Sequence, residues 1–412
     1  MKQRIIAFIL LLNFFCVNSQ DRIIDQTKIK EDLNGIINDL SENYVYLQEK
    51  NVDLNCIKTH YEKQIPNIKT EEQTVLFFEY LLDEFYDSHL ILNTNRNSSF
   101  RLYSPIYVSI KNEKPIVSNV WHIKVEGLER NIIGAQLLKI NGTDFDIAIE
   151  QFPTHCNDKN FKNIREWIAN KLLAGRYYQP RILTLKLDDK ETVEFDLDKL
   201  KIKQPSELLT SVVACDIGII TINNSLGNNS LINEFDKTLD SLMNTKALII
   251  DLRNTVDGGN SYVARGIMGR FINEPKPYQK HLTIEQYDGS PVVERSWIEY
   301  VSPRGNLYTK PVVILVGRWT GSMGEGIAIG FEGMGRAEIV GSEMERLAGE
   351  MSSFSFKHQS FGYRLSTAKL YHIDGTPREK YIPLNYVTQT TTTIDETLEK
   401  GIELINEKGN IN

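Results

Sequence analysis

Cysteine is scarce: four occur in 412 residues, and three of them, Cys56, Cys156 and Cys215, lie beyond the N-terminal stretch. Widely spaced thiols are not a disulfide framework, and no C-x-x-C pair suggests zinc. At most one bridge can form, and three ordinary free thiols are the expectation. Basic clusters are missing too. The net charge is -7 with mixed signs, which argues against nucleic acid as a partner. Beyond the N-terminus no apolar run is long enough for a membrane span. Neither a fixed-period repeat nor a low-complexity tract occurs. No nucleotide loop or metal cluster competes for a site, so no cofactor is expected, and the oligomeric state is left open.

What is there is a foldable chain, 41% hydrophobic and long enough for two or three domains. Lys2 and Arg4 precede the apolar run Ile5–Val17, and Ser19 follows. This is the layout of a signal peptide cleaved after Ser19, which predicts a secreted or periplasmic protein. An uncleaved anchor is the alternative. Lipid attachment at Cys16 is another, although bulky Phe15 precedes it.

Residues 20–100 read as helical. Leu33, Ile36, Ile37, Leu40 and Tyr44 fall at helical spacing, and Thr70 with Gln73 makes a capping box. His89 falls where a helix gives way to a short strand. Over 101–204 the period shortens to that of strands, as in Ile106, Val108 and Ile110. From 205 to 412 strands and helices alternate: Ile217–Ile222, then Leu231–Met243, then Ala247–Arg253, and finally the helical Asp395–Ile405.

The stretch Pro311–Phe331 organises the last region. Val312 to Val316 is an apolar, mostly β-branched run, as expected of a strand buried on both faces. Thr320, Gly321 and Ser322 form a turn, and Met323, Ile327 and Phe331 recur at helical spacing. A serine at a strand-to-helix turn is well placed as a nucleophile, and the helix N-terminus favours negative charge beside it. The plain alternative is that Ser322 only caps the helix.

Several segments resemble a family. Leu248–Gly259 (LIIDLRNTVDGG) resembles the L-I-I-D-L-R-x-N-x-G-G signature of tail-specific, or carboxy-terminal processing, serine peptidases. Pro311–Glu325 resembles their nucleophile strand and turn, with Ser322 on the serine. Asp83–Leu92 resembles their D-x-H segment, with His89 on the histidine. Asp374–Glu379 resembles their D-G-x-x-x-E segment. Gly134–Gly142 is similar to one hairpin of PDZ domains, without a clear carboxylate-binding loop. The resemblance implies an α/β fold: a ClpP/crotonase-like core of β-β-α units, a PDZ-like β domain and an N-terminal helical segment. It also implies cleavage of peptides or unfolded protein through an acyl-enzyme.

The sequence departs from the Ser–Lys branch of that family. Gly341–Gly349 stands where its lysine belongs and contains none, and arginine does not deprotonate in proteins. His89, Ser322 and Glu379 supply the residue types of the tricorn-like Ser-His-Glu branch. In that reading His89 takes the serine proton and Glu379, or failing it Glu350, orients the imidazole and raises its pKa. Gly258 or Gly259 with Met323 would offer the oxyanion donors. Glu325 supports the turn, and Asp251 with Arg253 forms a structural ion pair. A binding protein for apolar ligands or peptides on the same fold is the competing expectation.

Overall fold

The computed structural model describes residues 24–286 and 289–409. The expected leader, with Cys16 and the Ser19 junction, lies outside the described residues.

The core is the sheet that the apolar runs predict. Strands Ile217–Ile222, Ala247–Asp251, Val312–Val316 and Glu338–Gly341 lie side by side and parallel. Ala247–Asp251 and Val312–Val316 are buried throughout, because helices cover both faces. Phe235, Ile267 and Phe331 pack on one face; Ile405, of the C-terminal helix Glu396–Gly409, packs on the other. The short strand Asn385–Tyr386 extends the sheet at one edge, and Leu209–Ala214 pairs antiparallel at the other. Leu209–Ala214, Ile217–Ile222 and helix Leu231–Ser241 make one β-β-α unit.

A second, antiparallel sheet joins Lys276–Glu285, Val293–Val301, Glu350–Ser355 and Gly362–Tyr371 to Ile91–Leu92. The N-terminal helices Gln26–Asn43, Leu54–Gln64 and Glu71–Asp83 pack on it, so Leu33, Phe78 and Leu82 share a core with Phe356, Tyr363 and Leu365. The Thr70/Gln73 capping box starts the third of these helices. Residues 106–196 form a separate antiparallel sheet with its own core. Its Asn141–Gly142 hairpin has both turn residues at positive φ, as a two-residue turn requires. Helix Lys162–Ala174 falls inside the stretch read as strands.

The thiol expectation is corrected. Cys56 and Cys156 form a disulfide, and among the described residues Cys215 is the free cysteine and is exposed. Glu84 brings the two segments together: its carboxylate accepts the N–H groups of His155 and Cys156 at 2.8 and 3.0 Å and the Tyr61 hydroxyl at 3.3 Å. Contacts of this kind, across 100 residues of sequence, leave no mark in local spacing.

Candidate active site

Parallel strands deliver their following loops to one edge of the sheet. Here four loops meet there: Asn223–Ser230, Leu252–Asn260, Gly317–Ser322 and Ser342–Gly349. The second and third are stitched together. Thr255 N–H donates to the Trp319 carbonyl at 3.1 Å and Gly321 N–H to the Thr255 carbonyl at 3.3 Å. A Cβ on Gly324 would lie 2.2 Å from Thr255 Oγ1, so only glycine permits that approach. The β domain braces the same loops through Trp121, stacked on Trp319 at 5.1 Å and donating to the Arg253 carbonyl at 2.8 Å.

Ser322 is the N-cap of helix Met323–Gly333, with φ 47° and ψ -107°. A non-glycine residue at positive φ carries strain of about 1–3 kcal/mol, held here by its surroundings. Ser322 N–H donates to Glu325 Oε2 at 2.9 Å. Glu325 is fully buried, and its carboxylate also accepts the N–H groups of Arg346 and Leu347. It therefore supports the turn, as read from sequence. Burial raises its pKa to about 7, against the Arg378 charge and these N–H groups.

The two glycines part company. A Cβ on Gly258, at φ 64°, would fall 2.4 Å from Ser322 Cβ and 3.2 Å from Met323 N. One on Gly259 would strike Leu226 instead. Gly258 is thus the glycine against the serine, yet its own N–H is spent on the Thr255 carbonyl at 2.9 Å. That leaves Met323 and Gly259 as the candidate N–H donors.

His89 is buried at the end of the turn that follows helix Glu71–Asp83. Asp87 Oδ1 accepts the His89 backbone N–H at 2.9 Å, and Tyr44 donates to Asp87 Oδ2 at 2.6 Å. The ring Nδ1 meets the Ala348 carbonyl at 2.8 Å. A carbonyl only accepts, so Nδ1 carries the proton and Nε2 presents its lone pair. Nε2 is buried and has no hydrogen-bond partner among the described residues. Burial lowers the imidazole pKa to about 4, with the Ala348 contact opposing.

Glu379 does not stand behind the histidine. Its carboxylate accepts the Tyr46 hydroxyl at 3.4 Å, while the position behind Nδ1 belongs to Ala348 O. Glu350 is not there either, since it meets His281 Nδ1 at 3.1 Å. The expected carboxylate–imidazole pair and its raised pKa are therefore corrected: this imidazole is shifted down. The neighbouring residue does more. Arg378 is almost fully buried and donates to the Leu347 and Gly349 carbonyls, at 3.0 Å each, on either side of Ala348. Asp251 and Arg253 pair at 2.7 Å as expected, with Asp395 as a second partner at 2.6 Å. Sequence reading matched Asp87 to the D-x-H segment but gave it no role, although its spacing is an Asx-turn signal, and it gave none to Arg378, which carries no such signal.

A cleft of about 550 Å³ opens beside these loops, lined by Tyr46, Tyr107, Arg318, Glu345, Ala348 and Glu379 among others.

Comparison with known proteins bears on the family and the fold. Residues 216–388 match peptidase family S41, and residues 25–83 match the tricorn protease C1 domain. These two matches support membership of the tail-specific protease superfamily. Membership in this superfamily supports a peptidase hydrolase with peptide or protein as substrate. The fold is similar to that of mature CPAF complexed with lactacystin, at 15% identity and TM-score 0.61, covering 94% of this chain and 98% of that one. It is also similar to the photosystem II D1 C-terminal processing protease, at 14% identity and TM-score 0.54, covering 92% and 96%. Identity this low speaks for the fold alone. No curated protein sequence matches the chain.

Proposed function

We propose that this tail-specific protease superfamily member is a serine endopeptidase that cleaves peptides through an acyl-enzyme on Ser322. The observation that carries the reading is the strained Ser322 turn, at φ 47° on a helix N-terminus with Gly258 packed against its side chain. A hydroxyl is a weak nucleophile and needs a base. His89, with its Nε2 lone pair unspent, takes the proton and returns it to the leaving amine. The Ala348 carbonyl fixes the tautomer, a role that a carboxylate fills in the usual triad. The oxyanion forms against Met323 N–H at the helix start. The lysine-free loop Gly341–Gly349 favours the Ser-His branch over Ser–Lys.

Peptide or unfolded protein would lie in the cleft beside Arg318 and Glu345. Whether the PDZ-like β domain captures a peptide or only braces the loops is part of this proposal; the Trp121–Trp319 stack favours bracing. We place the protein in the secreted or periplasmic compartment, from the N-terminal pattern and a disulfide of the kind that oxidising compartments keep.

The test is fluorophosphonate labelling of the wild type and of Ser322→Ala, together with turnover of an unfolded protein. Labelling and turnover that both vanish in the variant support the reading. Peptide binding without labelling in the wild type would favour the binding-protein alternative.

A further inference from the structure

Glu345 occupies a place that neither the turn nor the base explains. Its backbone N–H donates to the Thr320 carbonyl at 3.0 Å, so its loop is pinned to the nucleophile turn. Its side chain reaches over Gly321. A Cβ built there would lie 2.2 Å from Glu345 Oε2 and 2.4 Å from the Val256 carbonyl oxygen. The two oxygens crowd one point between the nucleophile turn and the Leu252–Asn260 loop. Oε2 is wholly buried and has no hydrogen-bond partner among the described residues.

We propose that Glu345 is a positioning residue which, as an uncharged carboxylic acid, sets the spacing between the Ser322 turn and the Leu252–Asn260 loop that together form the oxyanion site. The inference rests on the reading of Ser322 as nucleophile. A carboxylate beside the Val256 carbonyl sets lone pair against lone pair, whereas a carboxylic acid has one O–H to donate to it. The charged groups around it favour the neutral form. Glu325 faces it from the helix and Asp257 from the loop; Arg318 alone opposes them. Tyr103 also senses its charge. Burial is the largest cause and raises the carboxyl well above its usual range. Ionisation at high pH would push the carboxylate away from Val256 O and Asp257, and the two loops would lose their spacing.

The experiment follows the fluorophosphonate labelling rate of Ser322 from about pH 5 to about pH 10, spanning ordinary and strongly raised carboxyl values, in wild type, Glu345→Gln and Glu345→Ala. Wild-type labelling should fall about tenfold on the alkaline side, less than the ~10²–10³ that removal of an oxyanion donor costs. Glu345→Gln keeps a donor and cannot ionise, so its alkaline limb should disappear. Glu345→Ala should label slowly at every pH. An alkaline limb unchanged in Glu345→Gln overturns the proposal.

A second measurement does not depend on catalysis. In the Ser322→Ala background, Tm is compared with and without Glu345→Gln across pH. An acid raised in the folded state stabilises fully below its unfolded value of about 4.3, and that contribution is lost as pH rises through the folded value. Tm of Glu345→Gln should therefore gain on its parent as pH rises, and parallel curves overturn the neutral carboxyl. Absence of wild-type labelling at every pH sinks the Ser322 reading instead, and the melting curves then decide Glu345 alone.

Discussion

Ser322 takes its strand, turn and helix from one uninterrupted stretch, Pro311–Phe331, whereas His89 takes its surroundings from three segments far apart in sequence. The backbone N–H of His89 is held by Asp87, its ring by Ala348, and the Ala348 loop by Arg378. The half proposed to carry the nucleophile is local and strained. The half proposed to carry the base is buried and assembled by tertiary contacts. Substitutions in the first should destroy chemistry without touching the fold. Substitutions in the second should disturb both together.

The largest effect is expected in the first half. Ser322→Ala removes one hydroxyl from a half-buried turn, and the backbone strain that glycine would relieve persists in alanine. Turnover should fall by ~10³ or more, the scale of losing a triad member, with an unchanged circular dichroism spectrum. Residual turnover near the wild-type level would remove Ser322 from the mechanism.

Arg378→Met tests the second half. It leaves the Leu347 and Gly349 carbonyls without their buried donor and Glu325 without the cation 4.0 Å away. Breaking such a buried group typically costs about 3–5 kcal/mol. Tm should drop, and Ser322 labelling should slow with it as Ala348 loses its place. Lysine should not rescue, because a point charge does not reproduce the guanidinium fork. Normal labelling in a destabilised protein would uncouple Arg378 from the base.

The pH profile sharpens the comparison further. Burial holds the His89 imidazole near 4, so the neutral base should survive acidification well below the ordinary histidine value of about 6.5. The acid limb of kcat/KM assigned to His89 should fall near pH 4. Stability carries the same signature. The unfolded chain protonates first, so the neutral histidine stabilises fully above about 6.5, and that contribution is lost as pH falls toward the folded value. Glu325, held near 7, titrates above both histidine values, and Glu325→Gln separates its limb from that of His89. A limb near 7 that persists in Glu325→Gln would mean a carboxylate stands behind the imidazole after all.

The same contrast explains what could be read from sequence. The buried strand Val312–Val316, the Ser322 turn and the Thr70/Gln73 capping box are encoded in neighbouring residues, where periodicity and cap chemistry act. His89 could be picked out by type and motif. Its partner could not, because a backbone carbonyl such as Ala348 O leaves no trace in side-chain identity. The Cys56–Cys156 bridge and the Phe78–Phe356 packing, with centroids 4.2 Å apart, are likewise products of tertiary contact. Helix Lys162–Ala174 was hidden because its apolar positions, Ile164, Ile168 and Leu173, sit between strands of similar composition.

The smallest effect should belong to Glu379. The motif places it on the triad acid, yet among the described residues its carboxylate meets only the Tyr46 hydroxyl, at the long distance of 3.4 Å, on the wall of the cleft. A hydrogen bond this long contributes little, about 0.5 kcal/mol or less. Glu379→Gln keeps an acceptor for Tyr46 and removes a charge from the cleft wall beside Lys380. KM should therefore change by ~2–3-fold, the equivalent of about half a kcal/mol, while kcat and the acid limb stay in place. Tyr46→Phe breaks the contact but keeps the charge, so it should change KM by less than Glu379→Gln does. A tenfold loss of kcat in Glu379→Gln, with the acid limb displaced, would instead show that substrate binding swings the carboxylate behind His89. The base half would then close only in the complex, while the nucleophile half stands ready without it.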